Sequence, residues 1–229
     1  MSYYGGSMNG KLIVIEGLDG SGKSTQEELL KKRLDEIGIK FNFIKLPNYD
    51  DPACGLVKMY LAGRFGTNPS DVNAYAASSF YAVDRYVSYN CYWKEQYLNG
   101  ELFLADRYTT SNAYHQLTKT PREDWDKYLE WLEDFEYVKL GIPKPDAVIY
   151  LDMPIDISQK LMTGRYKGDE SKKDIHEKDV EYLNKCRIAA DYSCRKLGWS
   201  RIECGKDGQP YPVENISEKI FKEVMKVIK

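Results

Sequence analysis

Residues 11–25 read KLIVIEGLDGSGKST, and the fold follows from this stretch. Residues 11–16 form a short, β-branched, almost continuously apolar run, the pattern of a strand buried on both faces of a parallel sheet. Residues 17–24 then satisfy GxxxxGK[ST], directly after that strand and at the opening of a helix. Each residue type has a physical task. The glycines let backbone N–H groups converge on phosphate oxygens, and the helix N-terminus adds the positive end of its dipole. Lys23 supplies a point charge for β and γ phosphates, and the Ser24 hydroxyl suits Mg²⁺. An ATP site is therefore expected at Gly17, Leu18, Asp19, Gly20, Ser21, Gly22, Lys23, Ser24 and Thr25. The alternative is a glycine-rich turn with a surface lysine.

Outward from this loop the pattern alternates. Leu29, Leu30, Leu34 and Ile37 recur at helical spacing up to Gly38, which predicts a first helix over 22–37. Further strands are expected at 41–45, 102–105, 147–151 and 201–204. Helices are expected at 52–61, 71–98, 122–140, 154–162, 174–197 and 213–228, with a polar, glycine-bearing segment at 163–173. Strands alternating with helices imply an α/β fold: a five-stranded parallel sheet with helices on both faces and right-handed crossovers. Residues 1–10, with SYYGGS ahead of Met8, read as a vector-derived remnant and tail, leaving 11–229 as a single domain.

Composition narrows the function. Across 229 residues, 30% charged and 42% hydrophobic, 33 Lys plus Arg face 35 Asp plus Glu. The net charge of -2 gives no general attraction to nucleic acid or to an anionic membrane surface, so phosphate chemistry must be local. No apolar run approaches the roughly 18 residues of a spanning helix, and a signal-peptide pattern is absent, so a cytoplasmic protein is expected. The five cysteines are odd in number and never spaced CxxC, and the two histidines have no second ligand at metal-binding spacing. Reduced structural cysteines are expected, with neither a structural metal nor a Ser-His-Asp triad.

Three further groups carry possible chemistry. The strand over 102–105 runs into Asp106 and Arg107, which a doubly wound sheet aims at the crevice beside the phosphate loop. There Asp106 would hold Mg²⁺ through water and Arg107 would grip an acceptor phosphate, unless the two form only a surface ion pair. Tyr81 and Arg85 are four apart on a helix and share a face, suited either to a base or to covering the core. The 163–173 segment holds Arg165, Lys167, Lys172 and Lys173, either as a closing lid or as a solvated loop.

The set GLDGSGKST, KLP at 45–47, FYAVDR at 80–85, ADRYTTSNAY at 105–114 and VIYLD at 148–152 resembles the thymidylate kinases in order and spacing. The resemblance runs over nearly the whole chain from Lys11 onward and implies the P-loop nucleoside monophosphate kinase fold with a short basic lid at about 163–173. It also implies transfer of a phosphoryl group from Mg²⁺-ATP to dTMP in a homodimer. By it Asp19 meets the deoxyribose 3'-hydroxyl, Arg85 reads thymine O4, Tyr81 stacks on the base and Arg107 holds the 5'-phosphate. The resemblance also places Lys45, Tyr49, Ser111, Asn112 and Tyr114 at the substrate, and Ser24 and Asp106 at the metal. Lys23, Arg107 and Arg165 form the catalytic set. This chain departs from the pattern in several places. Lys45 replaces an arginine, Tyr81 replaces the usual Phe beside Phe80, and Ala113-Tyr114 comes one residue early, with His115 at the usual aromatic place. Gly20 replaces an arginine that some members carry, as in the bacterial type, which leaves Arg165 as the only lid arginine. A kinase for another monophosphate or a deoxynucleoside is the alternative. A P-loop ATPase switch is the non-kinase alternative, although no NKxD motif and no strand ending in DE is present.

Overall fold

The computed structural model describes residues 9–165 and 179–229. Five parallel strands form the main sheet: β1 (Lys11–Gly17), β2 (Asn42–Lys45), β3 (Leu102–Asp106), β4 (Ala147–Asp152) and β5 (Ser200–Glu203), in the order β2-β3-β1-β4-β5. The helices are α1 (Lys23–Glu36), α2 (Gly55–Leu61), α3 (Ala74–Ser88), α4 (Lys94–Leu98), α5 (Thr109–His115), α6 (Trp125–Glu133), α7 (Ile155–Arg165), α8 (Val180–Leu197) and α9 (Val213–Ile228). None of the described helices is long and apolar enough to cross a membrane.

β1 lies at the centre because both of its faces are apolar. Ile13 and Ile15 pack with Leu30 and Leu34 of α1 and with Ile216, Ile220 and Val224 of α9. Leu12 and Val14 point the other way, into an aromatic cluster of Tyr89, Trp93, Tyr97 and Phe103. This two-residue alternation within one continuous apolar run is what a strand covered on both faces requires. The chain leaves β1 toward β2 and β3 on one side and later returns to β4 on the other, so the reversal of strand order opens a crevice at the carboxyl end of β1. In the register Asp106 pairs with both Ile15 and Lys45, which brings the ends of β1, β2 and β3 to one level.

The expected helix over 71–98 begins later, at Ala74, where the Asn73 side chain accepts from the Ala76 N–H at 2.9 Å. It continues into α4 through a π-helical turn at Tyr89–Trp93. The helix expected over 122–140 is broken in the same way, by a π-helical turn at Asp134–Lys139 after α6. Residues 163–165, expected in the polar segment, are instead the last turn of α7, and residues 166–178 lie outside the described part. Sequence patterning gave no helix for α5 and no hairpin after β5, where Gly205–Lys206 pairs with Gln209–Pro210. Near the start of the described residues, the Gly10 N–H donates to Tyr97 O at 2.6 Å.

Ile220, fully enclosed between α1, α9 and the sheet, tests this core. Ile220→Ala should lower unfolding free energy by about 2–5 kcal/mol in urea titrations while leaving Michaelis constants unchanged, because the cavity it opens lies away from the crevice.

Candidate active site

A cavity of about 800 Å³ occupies the crevice. The phosphate loop forms one end, the helix pair α3 and α5 the other, and Leu161 and Met162 of α7 close one side. Gly20 and Gly22 have φ of 76° and 86°, in the left-handed region that favours glycine. Gly20 is doubly constrained, since a Cβ there would come within 2.6 Å of Ser158 O on α7. An arginine at this position is therefore excluded by the packing of α7 on the loop.

Residues Asp19 to Thr25 all line the cavity, whereas Gly17 and Leu18 are buried beneath it. Lys23 Nζ donates to Gly17 O at 2.9 Å, folded back along the loop. Burial, and then the nearby Arg107, push its ammonium below the usual lysine range. Arg107 has a positive φ of 67°, uncommon for a residue with a side chain, and its N–H donates to Ile15 O at 3.2 Å. That backbone turns the guanidinium over the phosphate loop, where Nη2 meets Asp19 Oδ1 at 2.7 Å and Nη1 meets the Tyr114 hydroxyl at 3.2 Å. Burial raises the Asp19 carboxyl, but Arg107 and Lys23 outweigh it and hold that carboxyl well below the ordinary range.

Asp106 ends β3 beside the loop, with Oδ2 3.2 Å from Lys45 Nζ. Its Oδ1 is buried without a hydrogen-bond partner among the described residues, and so is Oε1 of Glu27, one turn into α1. The two carboxyl groups face one another. Asp106 and Ser24 both line the cavity, and an orphaned carboxylate oxygen together with a hydroxyl suits a hard, oxygen-seeking cation such as Mg²⁺.

At the other end Tyr81, Arg85, Ser111 and Asn112 line the wall together with Tyr49. Tyr81 faces the cavity, while Phe80 packs against Tyr60 and Phe65. Arg85 is 3% exposed and forms a two-pronged ion pair with Glu136. Tyr114 does not itself line the cavity. It is 0% exposed and lies behind the wall, with its hydroxyl donating to Glu16 Oε2 at 2.7 Å, and His115 lines the cavity in its place. Ser111, Asn112 and His115 share the face of α5 that meets the crevice, whereas Tyr114 falls on the face turned toward Glu16. Arg165 ends α7, and the lysines of the expected lid, Lys167, Lys172 and Lys173, lie outside the described residues.

Sequence reasoning did not single out Glu16, Glu27 or Glu136. Glu16 is 0% exposed and accepts from Thr110 Oγ1 at 2.6 Å, from Ser111 Oγ at 2.9 Å and from Tyr114. All three share one signal, a carboxylate on a stripe that should be apolar. Glu16 closes a buried strand, Glu27 precedes Leu30 and Leu34 at helical spacing, and Glu136 follows Leu129 and Leu132.

Convergent glycines on a phosphate loop, a lysine within it and an arginine from a neighbouring strand end, facing a second site across one cavity, define a P-loop nucleoside monophosphate kinase, an ATP-dependent enzyme. The model of the family described as "Thymidylate kinase" matches residues 15–204. A thymidylate kinase of Mycobacterium tuberculosis is 27% identical over 203 residues, covering 87% of this chain and 93% of its own. A "Probable thymidylate kinase 1" of Saccharolobus solfataricus is 31% identical over 186 residues, covering 80% and 85%. The solved structure of a Candida albicans thymidylate kinase superposes with a TM-score of 0.66 at 19% identity, covering 95% of this chain and 92% of that one. The chain belongs to the thymidylate kinase family.

The carboxyl pair at the loop gives a pH signature. Burial, and then the facing Asp106, push Glu27 up to about 7 from 4.5. A carboxyl raised in the folded state costs nothing below its unfolded value, and its ionisation destabilises the fold progressively as pH rises through the folded value. In EDTA, Glu27→Gln should therefore gain Tm relative to the unsubstituted protein as pH goes from 5 to 8. A Tm difference that does not vary with pH would show that the pair is not strained.

Proposed function

We propose that this kinase transfers the γ-phosphoryl group of ATP to dTMP, giving dTDP and ADP. The observation that carries the acceptor's identity is the polarity of the wall beyond Arg107. Asn112 Nδ2 faces Glu136 Oε1 and Ser78 O, each at 3.3 Å. A carboxylate and a carbonyl only accept, so both amide hydrogens are spent and Oδ1 remains for a ligand. Among the described residues Arg85 Nη1 reaches only Tyr108 O, at a long 3.5 Å, and keeps donor capacity. A donor beside an acceptor complements the keto oxygen and ring N–H of thymine and opposes the amino group and ring nitrogen of cytosine. Tyr81 offers a face on which the base would stack.

On this reading Arg107 exchanges Asp19 for the acceptor's 5'-phosphate, and the released Asp19 carboxylate accepts from the 3'-hydroxyl. Lys23 exchanges Gly17 O for the donor's phosphates. Ser24 and Asp106 would hold the Mg²⁺, which would offset charge on the β and γ phosphates. Arg165, at the end of α7, is the one arginine of the lid segment expected at 163–173 and the proposed stabiliser of the transferring group. Nothing covalent is asked of the protein, so positioning and charge do the work. The family reading extends to a cytoplasmic homodimer.

The test is a panel of nucleoside monophosphates assayed with Mg²⁺-ATP. dTMP should be the best acceptor, and faster turnover of another monophosphate or of an unphosphorylated nucleoside would overturn the assignment. Lys23→Ala should cut kcat by at least about 100-fold in a protein that still folds. Arg165→Ala should lower kcat about 1,000-fold, the scale of arginine fingers, with dTMP affinity measured without ATP nearly unchanged.

A further inference from the structure

Glu136 does not line the cavity, yet it governs what the cavity presents. It sits in the π-helical turn at Asp134–Lys139 and is 0% exposed. A carboxylate so placed is costly unless its lone pairs are satisfied. Here four donors satisfy them: Arg85 Nε at 2.6 Å, Arg85 Nη2 at 2.5 Å, Thr109 Oγ1 at 2.8 Å and Asn112 Nδ2 at 3.3 Å. Three of the four belong to the two side chains that form the polar wall of the acceptor site.

Two consequences follow from this arrangement. The bidentate pair fixes the plane of the Arg85 guanidinium, so that Nη1 alone is left toward the wall, and it compensates the charge. A compensated guanidinium is a directional donor rather than an anion trap, which suits a neutral base better than a phosphate. The same carboxylate, together with Ser78 O, turns the Asn112 amide nitrogen inward. An asparagine without such a neighbour presents either end of its amide at little cost, because its terminal torsion is broad and roughly two-fold.

We propose that Glu136 is the positioning residue that sets the base preference of the acceptor site, by fixing the hydrogen-bond polarity of Arg85 and Asn112 together. This rests on the acceptor reading given above. Glu136→Gln keeps the shape and replaces one accepting oxygen with a donating NH₂. That group cannot accept from Arg85, and it repels the Asn112 amide nitrogen, leaving Ser78 O to hold that nitrogen against a turned amide that would offer Oδ1 to the new donor. The expected result is an increase of about 30-fold or more in KM for dTMP, with KM for ATP within a few fold. The ratio of kcat/KM for dTMP over dCMP should fall at least about tenfold, because the wall no longer opposes the cytosine edge.

A rise in KM for dTMP with an unchanged dTMP-over-dCMP ratio would overturn the proposal, since a merely structural loss penalises both acceptors alike. Unchanged KM and ratio would overturn it as well. If the unsubstituted enzyme itself shows no preference for dTMP over dCMP, the acceptor reading falls before Glu136 is at issue. Should Glu136→Gln not fold, Thr109→Val removes one donor to Glu136 at a position away from the cavity. It should shift the ratio in the same direction by about threefold, and a ratio unmoved in that folded variant overturns the proposal.

Discussion

A carboxylate sunk at the carboxyl end of the central strand holds the crevice in shape. Glu16 follows four fully buried apolar residues, where an unpaired charge would be expensive, and the hydroxyls of Thr110, Ser111 and Tyr114 converge on it. The Tyr108 N–H adds a longer bond at 3.3 Å. Those donors all come from α5 and its approach, so one buried group locks the helix behind β3 onto the strand that carries the phosphate loop. Arg107 lies at the same junction, and its left-handed backbone is tolerated because both flanks are fixed. Removing the hydroxyls from one side of this contact would leave the other a buried charge, which is why so short a helix is held in place.

The same principle orders the charges around the cavity. Three described cations at the loop end of the cavity are already occupied: Lys23 with Gly17 O, Arg107 with Asp19, and Lys45 with Asp106. Internal pairing of this kind lowers the cost of gathering cations in a partly buried crevice, and on the proposed reading it makes nucleotide binding an exchange of partners rather than a simple gain. The cations differ in how readily they would be released. Lys45 is well exposed and weakly held, whereas Arg107 is fixed at both terminal nitrogens. Asp19, once Arg107 turns away, becomes an acceptor without a donor, so filling one subsite prepares the next.

The fold was legible because it is written in periods. The continuous apolar run of β1, the spacing of Leu30 and Leu34, and the Ile216, Ile220 and Val224 stripe of α9 are read directly as buried faces. The phosphate loop was legible because its glycines answer a backbone requirement that no other residue meets cheaply. The α5 helix was not, since Thr109 to His115 holds few strong helix formers and is stabilised by bonds to Glu16 and Glu136, distant in sequence. Tyr114 shows the same limit at one residue's resolution. Which of two adjacent aromatic rings faces the crevice depends on the phase of a seven-residue helix, and that phase is set by what its hydroxyls bond to. The buried carboxylates interrupt apolar stripes, and without their partners such interruptions look like noise.

The two ends of the cavity solve opposite problems with the same residue types. At the loop, Arg107 and Lys45 face carboxylates and Lys23 a backbone carbonyl, partners that on the proposed reading anionic ligands displace. At the acceptor wall, Arg85 is bound at two nitrogens to a carboxylate with no exposure to solvent, which no ligand can reach. Burial decides the difference: a guanidinium paired to an accessible carboxylate is a reserve of charge, and one paired to an inaccessible carboxylate is a fixed donor. The π-helical turn at Asp134–Lys139 enters this distinction, because the turn that carries Glu136 packs behind Thr109 and Asn112 rather than at the cavity surface. A helix irregularity on the far side of the wall is thus coupled to what the wall can recognise, through one carboxylate and the three side chains it holds.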